Sequence, residues 1–183
     1  MPDVRLAKLS YMVLIRPERP ADASTIFGIH AACFPITAEA HLVSLLRDGG
    51  HLVVSLVADS QSKVVGHVAF SPVTTLAGAI GVGLGPVAVL APHRRQGVAA
   101  HLIRAGLDRC RSAGYGWAVV LGDPAYYSRF HFQAAASFGL SDEYGGGPAF
   151  QALELTPGRV PHGAGLVRYA TEFASLGPTA APA

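Results

Sequence analysis

Apolar residues recur along the chain with two periods, and an element boundary is expected wherever one period gives way to the other. The clearest helical run follows Gly97. Ala99, Leu102, Ile103, Gly106, Leu107 and Cys110 fall at i, i+3, i+4, i+7, i+8 and i+11, while Arg104, Asp108 and Arg111 take the other face. This predicts an amphipathic helix ended by Gly114. Trp117 to Leu121 is a continuous apolar run, as expected of a parallel strand covered on both faces. With the apolar stretch that begins near Leu84, residues 84–121 read as strand, helix, strand.

The first half carries shorter signals. Val13 to Arg16 is a strand candidate stopped by Pro17, and Asp22 stands at a helix N-cap position ahead of Ile26, Ile29 and Cys33. Pro35 interrupts, and Leu42, Val43, Leu45 and Leu46 predict a second helix that ends at Gly49-Gly50. Leu52 to Ala58 and Val64 to Ser71 are partly alternating, β-branched runs joined by the polar Asp59–Lys63, which predicts a hairpin, with a third antiparallel strand at about residues 80–90. A short helix is expected over Asp123 to Arg129, and strands at Leu153 to Leu155 and Leu166 to Tyr169. A single domain over 12–173 is expected, with flexible extensions at 1–11 and 174–183. The last seven residues, GPTAAPA, have no apolar period.

Composition narrows the classes of function. Half of the 183 residues are hydrophobic, enough for one sizeable core, and the net charge is only +2 with 14% charged residues. Lys and Arg are scattered, so a nucleic-acid partner is not expected. No uncharged run approaches the length of a membrane span, and no signal-peptide pattern opens the chain. The two cysteines, Cys33 and Cys110, lack metal or disulfide spacing and suit a reducing cytoplasm. The eight histidines show no metal-ligand spacing, so no metal is expected.

The junction before the clearest helix carries the chemistry. In "APHRRQGVAAH" a turn with Pro92, Arg94 and Arg95 leads through Gly97 into a helix start. A helix N-terminus presents unpaired N–H groups and the positive end of the macrodipole, which suits an anion. Adjacent arginines alone more often form a solvated loop pair, so Gly97 ranks above them. The pattern is neither G-x-x-x-x-G-K-[ST] nor G-x-G-x-x-G, which removes support for nucleoside triphosphate and dinucleotide sites.

Arg94-Arg95-Gln96-Gly97-Val98-Ala99 resembles the R/Q-x-x-G-x-G/A signature of the GNAT superfamily of N-acetyltransferases. Its context is similar as well: Val87-Ala88-Val89 resembles that family's fourth strand, "IRPERPADASTI" its opening, and "VVLGDPAYYSRFHF" the strand, short helix and Y-x-x-x-G-F element beside the cofactor. With "ALELTPG" and "LVRY", the set resembles the YhbS-like branch. The resemblance implies an α/β fold with a central mixed sheet, flanked by helices, whose fourth and fifth strands splay apart to admit acetyl-CoA. It also implies pairing of the pantetheine arm with the backbone of Val87 and Val89 around Ala88. The N–H groups of Arg95, Gln96, Gly97, Val98 and Ala99 would cradle the pyrophosphate, with Arg94 beside them. Tyr127 would reprotonate the leaving thiolate.

A phenol with a reference pKa of about 10 can donate to a thiolate whose reference is about 8.5. Tyr126 points elsewhere on the short helix and is expected to pack. His131 departs from the motif, occupying the position of its glycine. The strand at 80–90 carries no carboxylate, so the base is open among Glu39, His30 and His41, each expected at the surface. The expected function is acetyl transfer from acetyl-CoA to a primary amine of a small molecule or peptide. The alternative is a non-catalytic acyl-CoA-binding or regulatory module, and a homodimer is compatible with either.

Overall fold

The computed structural model describes residues 13–177. The extension expected at 1–11, and residues 178–183 of the one expected at 174–183, lie outside them. Residues 174–176, assigned to the terminal extension, instead belong to a 3-10 turn, Thr171–Leu176, with Phe173 and Leu176 buried.

Strands β1 (Leu14–Pro17), β2 (Val54–Ser60), β3 (Lys63–Thr75) and β4 (Ile80–Val89) form an antiparallel run. Between β1 and β2 come helices α1 (Ala23–Cys33) and α2 (Ala38–Asp48), and after β4 helix α3 (Val98–Ser112) leads to β5 (Trp117–Leu121), which pairs with β4 in parallel. Helix α4 (Pro124–Tyr127), β6 (Gln133–Ala134), β7 (Leu140–Asp142), β8 (Phe150–Glu154) and β9 (Gly165–Tyr169) follow. The mixed sheet runs β1-β2-β3-β4-β5-β8-β6, while β9 pairs with β3 and β7.

The apolar runs fill two layers. Along β5, Ala118 and Val120 join the core under α3, while Trp117, Val119 and Leu121 join the core on the α2 side. Helices cover both faces, which is why this strand is apolar at every position. On β3, Val68 and Phe70 face α3, and Val73 faces α2.

Three local expectations change. Asp22 occupies the α1 N-cap but makes no cap bond there; its carboxylate takes the Arg16 guanidinium at 2.7 and 3.1 Å and the Arg19 N–H at 2.7 Å. The β2–β3 turn is two residues, Gln61-Ser62, both at positive φ, so the strands run closer to the turn than the polar stretch suggests. The strand expected to stop at Ser71 continues to Thr75, because β9 takes over as its neighbour at Val73–Thr75, past the point where β2 begins.

Candidate active site

The β4–β5 ladder has the register Val82↔Ala118, Gly83↔Val119 and Leu84↔Val120, and goes no further. Beyond Leu84, β4 continues to Val89 with a partner on its β3 side only. Ala88 is opposite His67, and Leu90 N–H donates to Val65 C=O at 2.9 Å. Alternation along an antiparallel ladder therefore turns the backbone groups of Val87 and Val89 away from β3 into the gap. The Val89 carbonyl confirms this direction, accepting from Arg94 Nε at 2.8 Å and Cys33 Sγ at 3.4 Å. Ala88 spends its backbone on β3 and offers only its side chain.

Two adjoining cavities occupy the gap. One, of about 430 Å³, is lined by Cys33, Phe34, Val87, Ala88, Asp123 and Tyr127 among others. The other, of about 350 Å³, lies against Arg95, Gly97, Val98 and Arg129. Val89, Arg94, Ala99 and Tyr126 line both. The cleft thus runs from the open strand edge to the start of α3.

The helix begins at Val98, two residues after Gln96, with Gly97 as its N-cap at φ +84° and no side chain on the first-turn N–H groups. Arg95 also takes a positive φ, +58°. Left-handed residues around a helix start turn successive N–H groups toward one concavity, which favours an anion. Gln96 folds back to the Pro92 carbonyl at 2.8 Å and braces the loop.

Tyr127 lines the cleft although only 4% of it is exposed. Asp123 starts its helix by accepting the Ala125 N–H at 2.9 Å, with Pro124 in the first turn. Gly122 is required next to it, because a Cβ there would overlap the Tyr127 ring. Burial, followed by the neighbouring Tyr126, pushes the Tyr127 phenol above its ordinary value, so it is a protonated donor at neutral pH. Tyr126, expected to pack, lines both cavities, with the Arg129 guanidinium 4.4 Å from its ring centre. His131 adopts φ +69°, so the histidine keeps the left-handed turn expected of glycine.

The base candidates are placed differently from expectation. Only His41 is exposed, bonded to Thr37 C=O at 2.8 Å; His30 is fully buried and Glu39 is 7% exposed. Each lies on an apolar stripe, His30 with Ile26, Ile29 and Cys33, and Glu39 with Leu42, Val43 and Leu46. That spacing was the available signal of burial. The sequence reading also missed Cys33, Phe34 and Asp123 as cleft residues; for Asp123 the Asp-Pro helix start was the signal.

Residues 23–132 match the Acetyltransferase (GNAT) family, a span from the first helix through the His131 turn. The chain belongs to the GNAT family of acetyltransferases. Among GNAT proteins it is 42% identical over 164 residues to YhbS of Escherichia coli K12, described as an uncharacterized N-acetyltransferase, covering 88% of this chain and 98% of YhbS. The crystal structure of E. coli YhbS in complex with CoA superposes with a TM-score of 0.82 at 41% identity, over 88% of this chain and 91% of that one. A GNAT family acetyltransferase from Brucella melitensis, in complex with acetyl-CoA, gives a TM-score of 0.75 at 37% identity, over 89% and 99% of the two chains. Among the described residues no helix is long and apolar enough to cross a membrane.

Proposed function

We propose that the protein transfers the acetyl group of acetyl-CoA directly to a primary amine of a small molecule or peptide. The observation that carries this reading is the continuous cleft that joins the unpaired edge of β4, the uncapped start of α3 and the buried phenol of Tyr127. Family membership and the CoA and acetyl-CoA complexes of two relatives support the same co-substrate.

The residues present fit that molecule. Val87 and Val89 offer main-chain groups to the pantetheine arm as an added strand would. The N–H groups from Arg95 to Ala99 face the pyrophosphate, with Arg95 adding charge. A Val89 or Val87 N–H polarises the thioester carbonyl, and Tyr127 delivers its proton to the departing sulfur. Holding amine and thioester in one cleft replaces a bimolecular encounter.

The lack of a carboxylate along Ile80–Val89 favours a second reading, a module that binds acyl-CoA without turning it over. Thiol release from acetyl-CoA, measured with the purified protein and a panel of primary amines, tests the choice. Amine-dependent release supports the enzyme. Binding without release supports the module.

A further inference from the structure

A chain of polar groups, half-buried at Glu18 and Ser55 and fully buried at His67 and His30, runs under the cleft from β1 to α1. Glu18, just after β1, is gripped by the Arg47 guanidinium of α2, Nε to Oε1 at 2.8 Å and Nη2 to Oε2 at 2.9 Å. The Ser55 hydroxyl of β2 donates to Glu18 Oε2 at 2.5 Å. Ser55 Oγ lies 2.8 Å from His67 Nε2 on β3, and His67 Nδ1 lies 2.8 Å from His30 Nε2 on α1. His30 Nδ1 is buried and meets no hydrogen-bond partner.

One end of the chain sets every proton in it. Burial pushes the Glu18 carboxyl up, but the Arg47 hydrogen bonds, with that of Ser55 and the nearby His67, outweigh it and hold the carboxylate charged, far below its ordinary value. A carboxylate can only accept, so Ser55 gives it its single proton and must accept from His67. His67 is then the Nε2–H tautomer, with a lone pair on Nδ1. His30 donates to that lone pair from Nε2 and is left with a bare lone pair on Nδ1. An acceptor orphaned in this way costs stability and calls for an explanation.

Its position indicates the use. Cys33 and Phe34, three and four residues further along, line the larger cavity, and the Phe34 ring stacks on His30 at 5.9 Å with an 8° interplanar angle. His67 is paired across the sheet with Ala88, which lines the same cavity. We propose that His30 Nδ1 is the base that takes the proton lost by the acceptor amine, directly or through one water, and that His67, Ser55 and Glu18 fix its tautomer and relay that proton outward. This inference rests on the acyl-transfer reading above. Phe34, stacked on His30 and lining the cavity, stands between the two, so this transfer requires its side chain to move aside.

The balance closes. The neutral amine forms the C–N bond, the C–S bond breaks, and Tyr127 protonates the sulfur and is reprotonated from solvent. The nitrogen, now bonded to carbon, loses its extra proton to His30 Nδ1. The His30 Nε2 proton passes to His67 Nδ1, the His67 Nε2 proton to Ser55, and the Ser55 proton to Glu18, which releases it to solvent. A return shift, in which a solvent proton re-enters at Glu18 and His30 Nδ1 gives its proton to water in the cleft, restores the starting tautomers and leaves one proton released per turnover. That adduct nitrogen is far more acidic than a free ammonium, so a weak base suffices. Burial, then the charges of His67 and Arg47, holds His30 down to about 2, and burial lowers His67 as well. The lone pair is therefore free at every physiological pH. The charged and titratable groups packed around His30 are Cys33 on α1, His67 on β3 and, through the relay, Ser55, Glu18 and Arg47.

The competing base is Asp123, a carboxylate on the cavity wall with one oxygen on the Ala125 N–H. The test compares wild type, His30→Gln, Glu18→Gln and Asp123→Asn by pH–rate profile with acetyl-CoA and a panel of benzylamine, spermidine and an unblocked tetrapeptide. Histidine 15N shifts are read in parallel. In wild type His30 and His67 are both Nε2–H at pH 7, a readout independent of any amine. His30→Gln lowers turnover roughly 10² to 10⁴-fold and changes the pH profile, with coenzyme A affinity within about threefold. Glu18→Gln touches no substrate, yet an amide donating to Ser55 reverses the chain, moves the His30 proton to Nδ1 and lowers turnover too. An Nδ1–H His30 in wild type overturns the relay. So does a His30→Gln enzyme that matches an active wild type in rate and profile, or an Asp123→Asn enzyme that alone loses both. Wild-type thiol release tests the acyl transfer itself, so the two ideas fail separately.

Discussion

The Arg94 guanidinium donates from Nε to the Val89 carbonyl at 2.8 Å, tying the anion loop to the open edge of β4. Arg94 therefore braces the strand, and it stands beside the proposed pyrophosphate site together with Arg95, whose backbone is left-handed. Replacing Arg94 by Ala removes a hydrogen bond from a charged donor, an effect of about 1–2 kcal/mol. Coenzyme A affinity by calorimetry should fall roughly 5- to 30-fold, and because the bond is already present in the free protein its melting temperature should fall too, by about 2–8 °C. An unaltered affinity would mean that the loop and strand hold each other without this contact.

Gly97 stands at φ +84° with only the His101 side chain within 4 Å of an added Cβ, so space is available and conformation is the constraint. Gly97→Ala strains the turn by about 1–2 kcal/mol, while Gly97→Glu also places negative charge where the pyrophosphate is proposed to lie. Wild type should gain stability from coenzyme A, about 2.7 kcal/mol at a hundredfold excess over Kd. In Gly97→Glu that gain should vanish while the protein stays folded. A full thermal shift in this variant would place the site elsewhere.

What was legible in the sequence was whatever local periodicity writes. The unit from β4 through α3 to β5 declares itself because α3 has one apolar face and β5 is covered on both, so each pattern has one structural solution. The seat of β9 against Val73–Thr75 was not legible, since its alternation fits any antiparallel edge and names no partner. The cleft was half legible. Backbone sites come with the signature, but the His30–His67 contact joins residues 37 apart in sequence that share no spacing motif. Their meeting depends on the register of α1 over β3, which only tertiary packing sets.

The same buried histidines make stability depend on pH. His30 is held down to about 2 in the folded chain and His67 is also lowered, while an unfolded histidine titrates near 6.5. Below about pH 6.5 the unfolded state binds protons that the folded state refuses, so stability rises with pH there and is lost as pH falls. Glu18 acts in the same direction: its depressed folded value adds stability above the ordinary carboxylate range that is lost on acidification. The melting temperature should fall steadily from pH 7 to pH 4, each histidine adding up to about 1.4 kcal/mol per pH unit. His30→Leu should give a shallower fall. An equally steep fall in that variant would assign the acid sensitivity to other groups.

Tyr127 separates an enzyme from a binding module, because its phenol is asked to act only on the departing sulfur. Its ring packs 5.9 Å from Phe132 and over Gly122, contacts that Tyr127→Phe keeps while removing the proton. Turnover with an accepted amine should fall roughly 10² to 10⁴-fold, with coenzyme A affinity little changed. Tyr126 is the internal control. It lines the same cleft, its ring 5.1 Å from that of Tyr127 and nearly perpendicular to it, so Tyr126→Phe removes a second tyrosine hydroxyl from the same cleft wall. If position in the cleft decides, that variant should stay within a few-fold of wild type. Equal losses in the two would trace the effect to the packing of α4 instead of one proton. Full activity in Tyr127→Phe with several amines would assign the proton to water or another donor, and the phenol's burial would then serve the core alone.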